Sequence, residues 1–216
     1  MMTREGQIPR AILQRGLYLV LTDPRDGYET LCRWAVEAGL PAVQLRYKGH
    51  DECEHLALAH ALRRITKNSG TLFIVNDRPD IALISQADGV HLGQDDLPAA
   101  EARQLIGPIM LLGLSTHNLE QVAAANAAPV DYIGFGPLFA TNSKAQPDPV
   151  TGPGALKAAL SVSRHPVVAI GGLDLERIRL LQAHPHNAAV IRAVSDVPDP
   201  LAAMLAIHEA CLTMKS

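Results

Sequence analysis

Short apolar runs recur along the whole chain, and a helix-like stretch follows most of them; no other feature constrains the fold as strongly. The runs cover residues 17–22, 42–46, 72–75, 89–92, 110–114, 132–135, 167–170 and 189–191. Each is brief and mostly aliphatic, as strands buried on both faces of a parallel sheet must be. In residues 52–65, Leu56, Ala59, Leu62 and Arg63 fall at three- and four-residue steps. Residues 119–125 and 175–182 are rich in Ala or Leu and free of Pro and Gly, which suits a helix. Start signals agree with this reading. Pro79 follows Arg78 at a first helical position, Asp96 precedes Leu97-Pro98, and Asn118 with Gln121 reads as a capping box.

Strands alternating with helices imply a parallel sheet with right-handed crossovers. Eight such units in 216 residues are what a compact (β/α)8 TIM barrel needs. The rival is an open doubly wound sheet, which uses the same alternation with fewer strands. No Gly-x-Gly-x-x-Gly follows the first run and no Walker-type lysine loop occurs, so the expected fold is a single-domain α/β barrel over residues 1–216. One connection breaks the rhythm. Between Gly136 and Gly154 the chain carries Pro137, Pro147, Pro149 and Pro153 and no evident regular element. A loop that long in a compact domain commonly serves as a lid.

The chain is 48% hydrophobic and 19% charged, enough apolar content for a sizeable core. A net charge of −3 argues against nucleic-acid binding through bulk charge. Residues 1–10 are too polar for a secretory segment and read as a disordered N-terminal stretch, and no apolar run reaches membrane-spanning length. Cys32, Cys53 and Cys211 show no pairing pattern, so reduced thiols in a cytoplasmic protein are expected.

Barrels keep their chemistry where the strands end and the following loops begin. After the second run, Gln44, Arg46 and Lys48 alternate and share one side, while Val43 and Leu45 take the other. Two cations on one stripe need more negative charge than one partner carboxylate supplies, so a phosphate or diphosphate is the expected occupant. After the third run come Asn76 and Asp77; after the fourth, Gln94, Asp95 and Asp96. Singly, these acids suit helix starts. Together, Asp77 and one of Asp95 or Asp96 lie on neighbouring strands beside the cations, as carboxylates holding Mg2+ near a diphosphate do. Ser115 follows the fifth run; Thr141, Ser143 and Lys144 lie in the lid; Gly171-Gly172 and Arg192-Ala193-Val194-Ser195 follow the last two runs. The glycines let backbone amides approach a second anion. His50, His55 and His60 share no helical face, and no His/Cys spacing supports zinc. Two anions, a metal and no evident nucleophile favour chemistry driven by departure of a diphosphate.

Six blocks resemble thiamine phosphate synthases: Gln44-Leu45-Arg46-x-Lys48, Asn76-Asp77-Arg78-x-Asp80, Ala87 to Asp96, Gly113-Leu114-Ser115-x-His117, Gly134 to Lys144, and Ala169-Ile170-Gly171-Gly172. They occur in the family's order between about Leu17 and Ser195. The resemblance implies a (β/α)8 barrel that couples a hydroxymethylpyrimidine diphosphate to a thiazole phosphate by a dissociative mechanism with Mg2+. It implies that Arg46, Lys48, Asn76 and Lys144 hold the diphosphate, that Gln44 and Ser115 face the pyrimidine, and that Asp77 and Asp96 hold Mg2+. Thr141, Asn142, Ser143, Gly171 or Gly172, Val194 and Ser195 are implied for the thiazole phosphate. Arg46, Lys48, Lys144 and Ser115 would carry the catalysis. Ser143 stands where the family commonly has threonine, and residues 145–150 are less like it. A related thiazole tautomerase has a histidine in place of Pro137 and degraded metal blocks, so Pro137, Asp77 and Asp96 side with the synthase. A non-catalytic carrier of thiazole or thiamine phosphates is the remaining rival. Partners are then small phosphorylated molecules, not nucleic acid or membrane, and a homo-oligomer is compatible with this reading.

Overall fold

The computed structural model describes residues 11–141, 149–181 and 183–213. Residues 1–10 and the lid residues Asn142, Ser143 and Lys144 lie outside them. The chain runs β1 (Gly16–Leu21), α1 (Tyr28–Glu37), β2 (Ala42–Leu45), α2 (Glu52–Thr66), β3 (Leu72–Asn76), α3 (Pro79–Ser85), β4 (Gly89–Leu92) and α4 (Ala99–Ile106). It continues through β5 (Leu111–Thr116), α5 (Leu119–Ala125), β6 (Tyr132–Phe135), α6 (Gly152–Val162), β7 (Val167–Ala169), α7 (Leu175–Leu180), β8 (Asn187–Val190), α8 (Arg192–Ser195) and α9 (Pro200–Thr213). The strands close in sequence order into one barrel. Every neighbouring pair is parallel, including β1 with β8.

Period-two alternation divides the strand residues between two cores. Leu17, Leu19, Leu21, Val43, Leu45, Phe73 and Val75 face the helices and join a large outer cluster. Tyr18, Val20, Ala42, Ile74, Leu111, Tyr132, Val168 and Ala189 fill the barrel itself, and Leu13 joins this cluster. His186 Nε2 and Asn187 Nδ2 anchor that N-terminal stretch by bonding the carbonyls of Leu13 at 2.7 Å and Gln14 at 2.9 Å.

Helix starts follow local side-chain chemistry. Asn118 accepts from the Gln121 N–H at 2.8 Å, while Gln121 Oε1 accepts from the His117 N–H at 2.7 Å, one residue before the cap. Asp51 and Asp174 cap α2 and α7 in the same way. Asp96 does not cap α4: that helix starts behind Pro98, and the Asp96 carboxylate instead accepts from the Gly93 N–H at 2.6 Å. Strand β8 starts at Asn187, two residues before the expected run, because Asn187 and Ala188 already pair with Val168 and Ala169.

One ionic clamp is built twice at the strand starts. Arg63 of α2 bonds Asp88 at 2.8 Å, and Asp88 also accepts from the Phe73 N–H at 2.9 Å. Two units later Arg103 of α4 bonds Asp131 at 2.7 Å, and Asp131 accepts from the Leu112 N–H at 2.8 Å. Each carboxylate ties a helix to a strand and satisfies a backbone donor that would otherwise be stranded. Asp131→Ala leaves Arg103 and the Leu112 N–H without this acceptor, so a loss of about 2–4 kcal/mol in denaturant unfolding is expected; an unchanged midpoint would show the clamp to be idle.

A third tie joins α9 to β1, where the Leu17 N–H donates to His208 Nδ1 at 3.2 Å. Only a neutral imidazole can accept there, and partial burial lowers the His208 pKa from its ordinary 6.5. A pKa depressed on folding gives stability that is present above 6.5 and lost as pH falls through the folded value. Wild type is therefore expected to lose more Tm between about pH 8 and pH 5 than His208→Gln does; parallel losses would contradict this.

Candidate active site

A cavity of about 830 Å³ opens at the C-terminal ends of the strands, a volume suited to a small-molecule ligand. Gln44, Arg46, Asn76, Asp77, Asp96 and Ser115 all line it. The ladder bond from the Arg46 N–H to Leu21 O, 2.9 Å, extends β2 pairing past Leu45. Gln44 and Arg46 thus keep the two-residue alternation and face the cavity, while Val43 and Leu45 pack in the outer core. Lys48 departs from that stripe. It lines a separate cavity of about 250 Å³ with Thr22, Asp23, Arg192, Ser195 and Asp196. There Ser195 Oγ lies 2.9 Å from Asp196 Oδ1, and Thr22 Oγ1 is buried without a hydrogen-bond partner. Arg192 borders both cavities.

The acids meet at the ends of β3 and β4. Asp77 takes a left-handed backbone, φ 63°, a conformation Asp and Asn tolerate better than most residues. Its N–H donates to His91 O at 2.8 Å. Its carboxyl hydrogen-bonds that of Asp96, not of Asp95. Water reaches Asp77, yet the concave rim denies it bulk hydration. The Asp77 pKa is pushed up to about 7, first by lost hydration, then by the bond to Asp96 and its negative charge; Arg46 and a bond from Asn76 oppose the rise. Two carboxyl groups in this state need a proton or a cation between them. Their hard oxygen donors suit Mg2+. Among the described residues no group of three or more His, Cys, Asp or Glu side chains could hold a metal, so water and phosphate oxygens would supply the remaining positions.

On the far side, Gly171 and Gly172 pack against the loop residues 137–140 that follow β6. Leu138 N–H donates to Ile170 O and Phe139 N–H to Gly171 O, both at 3.0 Å. Gly171 has φ 101°, and a Cβ there would strike Pro137, so only glycine suits this close approach. Both glycines and Thr141 line the large cavity; Val194 does not, and is fully buried in the outer core. Arg177, missed in the sequence, also lines it, bonding Gly172 O and covering the Phe139 ring at 4.9 Å. Its signal was present: a cation three residues after the Asp174 cap that follows the glycine pair. Tyr18, His91 and Tyr132 were missed too, although each occupies an inward strand position and lines the cavity.

Residues 17–194 match the profile of the family described as thiamine monophosphate synthase. A thiamine-phosphate synthase of Vibrio parahaemolyticus is 43% identical over 187 residues, covering 85% of this chain and 92% of the relative. One of Chlorobium phaeovibrioides is 44% identical over 190 residues, covering 86% and 90%. The solved thiamine phosphate pyrophosphorylase of Pyrococcus furiosus superposes with a TM-score of 0.82 at 33% identity, covering 93% of this chain and 96% of its own.

The acid pair has a measurable cost. An acid whose pKa rises on folding destabilises the native state above that pKa, and the penalty fades as pH falls toward the ordinary 3.8. Asp77→Asn keeps the left-handed backbone and removes one charge. In metal-free protein at about pH 8 it should raise Tm by about 2–4 °C, on the order of 1 kcal/mol after allowing for solvent access. The gain should shrink toward about pH 4, and the Tm response to Mg2+ should disappear. A lower Tm at both pH values, or an intact Mg2+ response, would contradict the pairing.

Proposed function

Because the chain belongs to the thiamine monophosphate synthase family, we propose that it joins hydroxymethylpyrimidine diphosphate to hydroxyethylthiazole phosphate, giving thiamine phosphate and diphosphate. The observation that carries this reading is the Asp77–Asp96 pair beside Arg46 at one cavity wall. The acids call for a cation and the guanidinium for an anion, and a metal-bound diphosphate satisfies both.

In this reading the bond between the pyrimidine methylene carbon and the diphosphate oxygen breaks first, its electron pair leaving with the oxygen. The thiazole nitrogen then donates its lone pair to the methylene cation, forming the new C–N bond. Asp77 and Asp96 would hold Mg2+, which would supply positive charge to the departing group. Arg46 and Asn76 bind diphosphate oxygens from the cavity wall, Lys144 adds charge, and Lys48 adds its charge from the neighbouring smaller cavity. Gln44 and Ser115 orient the pyrimidine. Thr141, Asn142, Ser143, Gly171, Gly172, Val194 and Ser195 are assigned to the thiazole phosphate. No helix among the described residues is long and apolar enough to cross a membrane. The free cysteines, two of them buried, suit a reducing cytoplasm.

Purified protein given both phosphorylated substrates and Mg2+ is expected to form thiamine phosphate. Arg46→Ala should cut turnover about 10²–10³-fold while Tm stays within a few degrees. Binding of the thiazole phosphate without product would favour a carrier instead. Equal losses of Tm and activity in the variant would make Arg46 a structural residue.

A further inference from the structure

Five polar side chains from five strands form one hydrogen-bonded chain through the barrel interior. Gln44 Nε2 donates to Tyr18 Oη at 2.9 Å, and Tyr18 Oη lies 2.9 Å from Tyr132 Oη. Tyr132 Oη lies 3.2 Å from His91 Nδ1, and His91 Nε2 lies 3.0 Å from Ser115 Oγ. Gly113 makes room for this, since a Cβ there would overlap the Tyr132 ring and His91 Nδ1. Both phenols are nearly sealed from solvent. Burial raises both of their pKa values, so each keeps its single proton.

Counting protons sets the direction of the chain. Tyr18 already accepts a hydrogen from Gln44. If it also accepted from Tyr132, its own proton would be buried without an acceptor, which native interiors avoid. Tyr18 therefore donates to Tyr132, and Tyr132 donates to His91 Nδ1. The imidazole must then carry its proton on Nε2 and give it to Ser115 Oγ. Having accepted that bond, the Ser115 hydroxyl has its own proton to offer into the cavity.

We propose that Tyr18, Tyr132 and His91 are positioning residues that hold Ser115 as a hydrogen-bond donor to an acceptor atom on the ligand, such as a ring nitrogen of an aromatic heterocycle. At the far end, the Gln44 amide oxygen is left to accept. A donor at Ser115 selects a ring nitrogen over a C–H or N–H at the same place. That the heterocycle is the pyrimidine rests on the function proposed above; the direction of the chain does not.

Two measurements test this. Long-range ¹⁵N–¹H NMR of ring-labelled histidine in ligand-free protein, at about pH 8 where imidazole is neutral, is expected to show His91 as the Nε2–H tautomer. The Nδ1–H tautomer would overturn the proposal. In turnover, Tyr132→Phe should lower kcat/KM for the pyrimidine substrate about 10-fold and leave KM for the thiazole phosphate unchanged. Combined with Ser115→Ala it should do no further harm, because Tyr132 acts through that hydroxyl. Additive losses, or equal losses for both substrates, would overturn it. Should Tyr132→Phe fold poorly, the His91 tautomer in the wild-type protein decides the proposal by itself. If the wild-type protein makes no thiamine phosphate at all, the proposed function falls, while the tautomer still decides the direction of the chain.

Discussion

A closed barrel of eight parallel strands admits only every second side chain of each strand to its interior. This chain gives several of those inward places to Tyr18, Gln44, His91, Ser115 and Tyr132 rather than to aliphatic residues. Polar groups so placed must satisfy one another or be costly. Satisfying one another orders them into a directed chain, and Gly113 supplies the space their bulk requires. The packing rule of the fold thus reaches directly into the chemistry of its open end.

Electrostatics at the rim follow the opposite logic. Asp77 and Asp96 are held against each other instead of being paired off by arginines, in contrast to Asp88 and Asp131 at the other end of the strands. Both ends use the same residue type. At the strand starts a carboxylate meets an arginine and a backbone N–H, so the result is a clamp. At the strand ends two carboxylates meet with Arg46 only nearby, so the result is a place for a cation beside a place for an anion. Structural and functional acids are separated here by their partners, not by their identity.

Much of this was legible in the sequence. The eight runs mark the strands because aliphatic stretches have no other use at that spacing, and the order of strands puts Asp77 next to the acids that follow β4. The stripe of Gln44 and Arg46 was legible for as long as the chain stays extended. Lys48 escapes it because the chain leaves the β2 ladder after Arg46, and the side chain ends at the seam between β1 and β8. Val194 is implied by the family resemblance alone, and its side chain is fully buried. Tyr18, His91 and Tyr132 were hidden because one polar residue in a short apolar strand looks like an incidental core position. Their meaning appears only when strands β1, β4 and β6 are brought together. Asp96 reads locally as a helix cap, and only the bond to Asp77 across the strand ends shows its other role.

The meeting of the two acids is the point on which the chemistry turns. Crystals grown with Mn2+ and inorganic diphosphate, measured at the manganese absorption edge, test it most directly. An anomalous peak within about 2.3 Å of oxygens from both Asp77 and Asp96, with diphosphate oxygens on the same ion and Arg46 on the diphosphate, is the expected result. Manganese bound elsewhere, or diphosphate seated away from the acids, would contradict it.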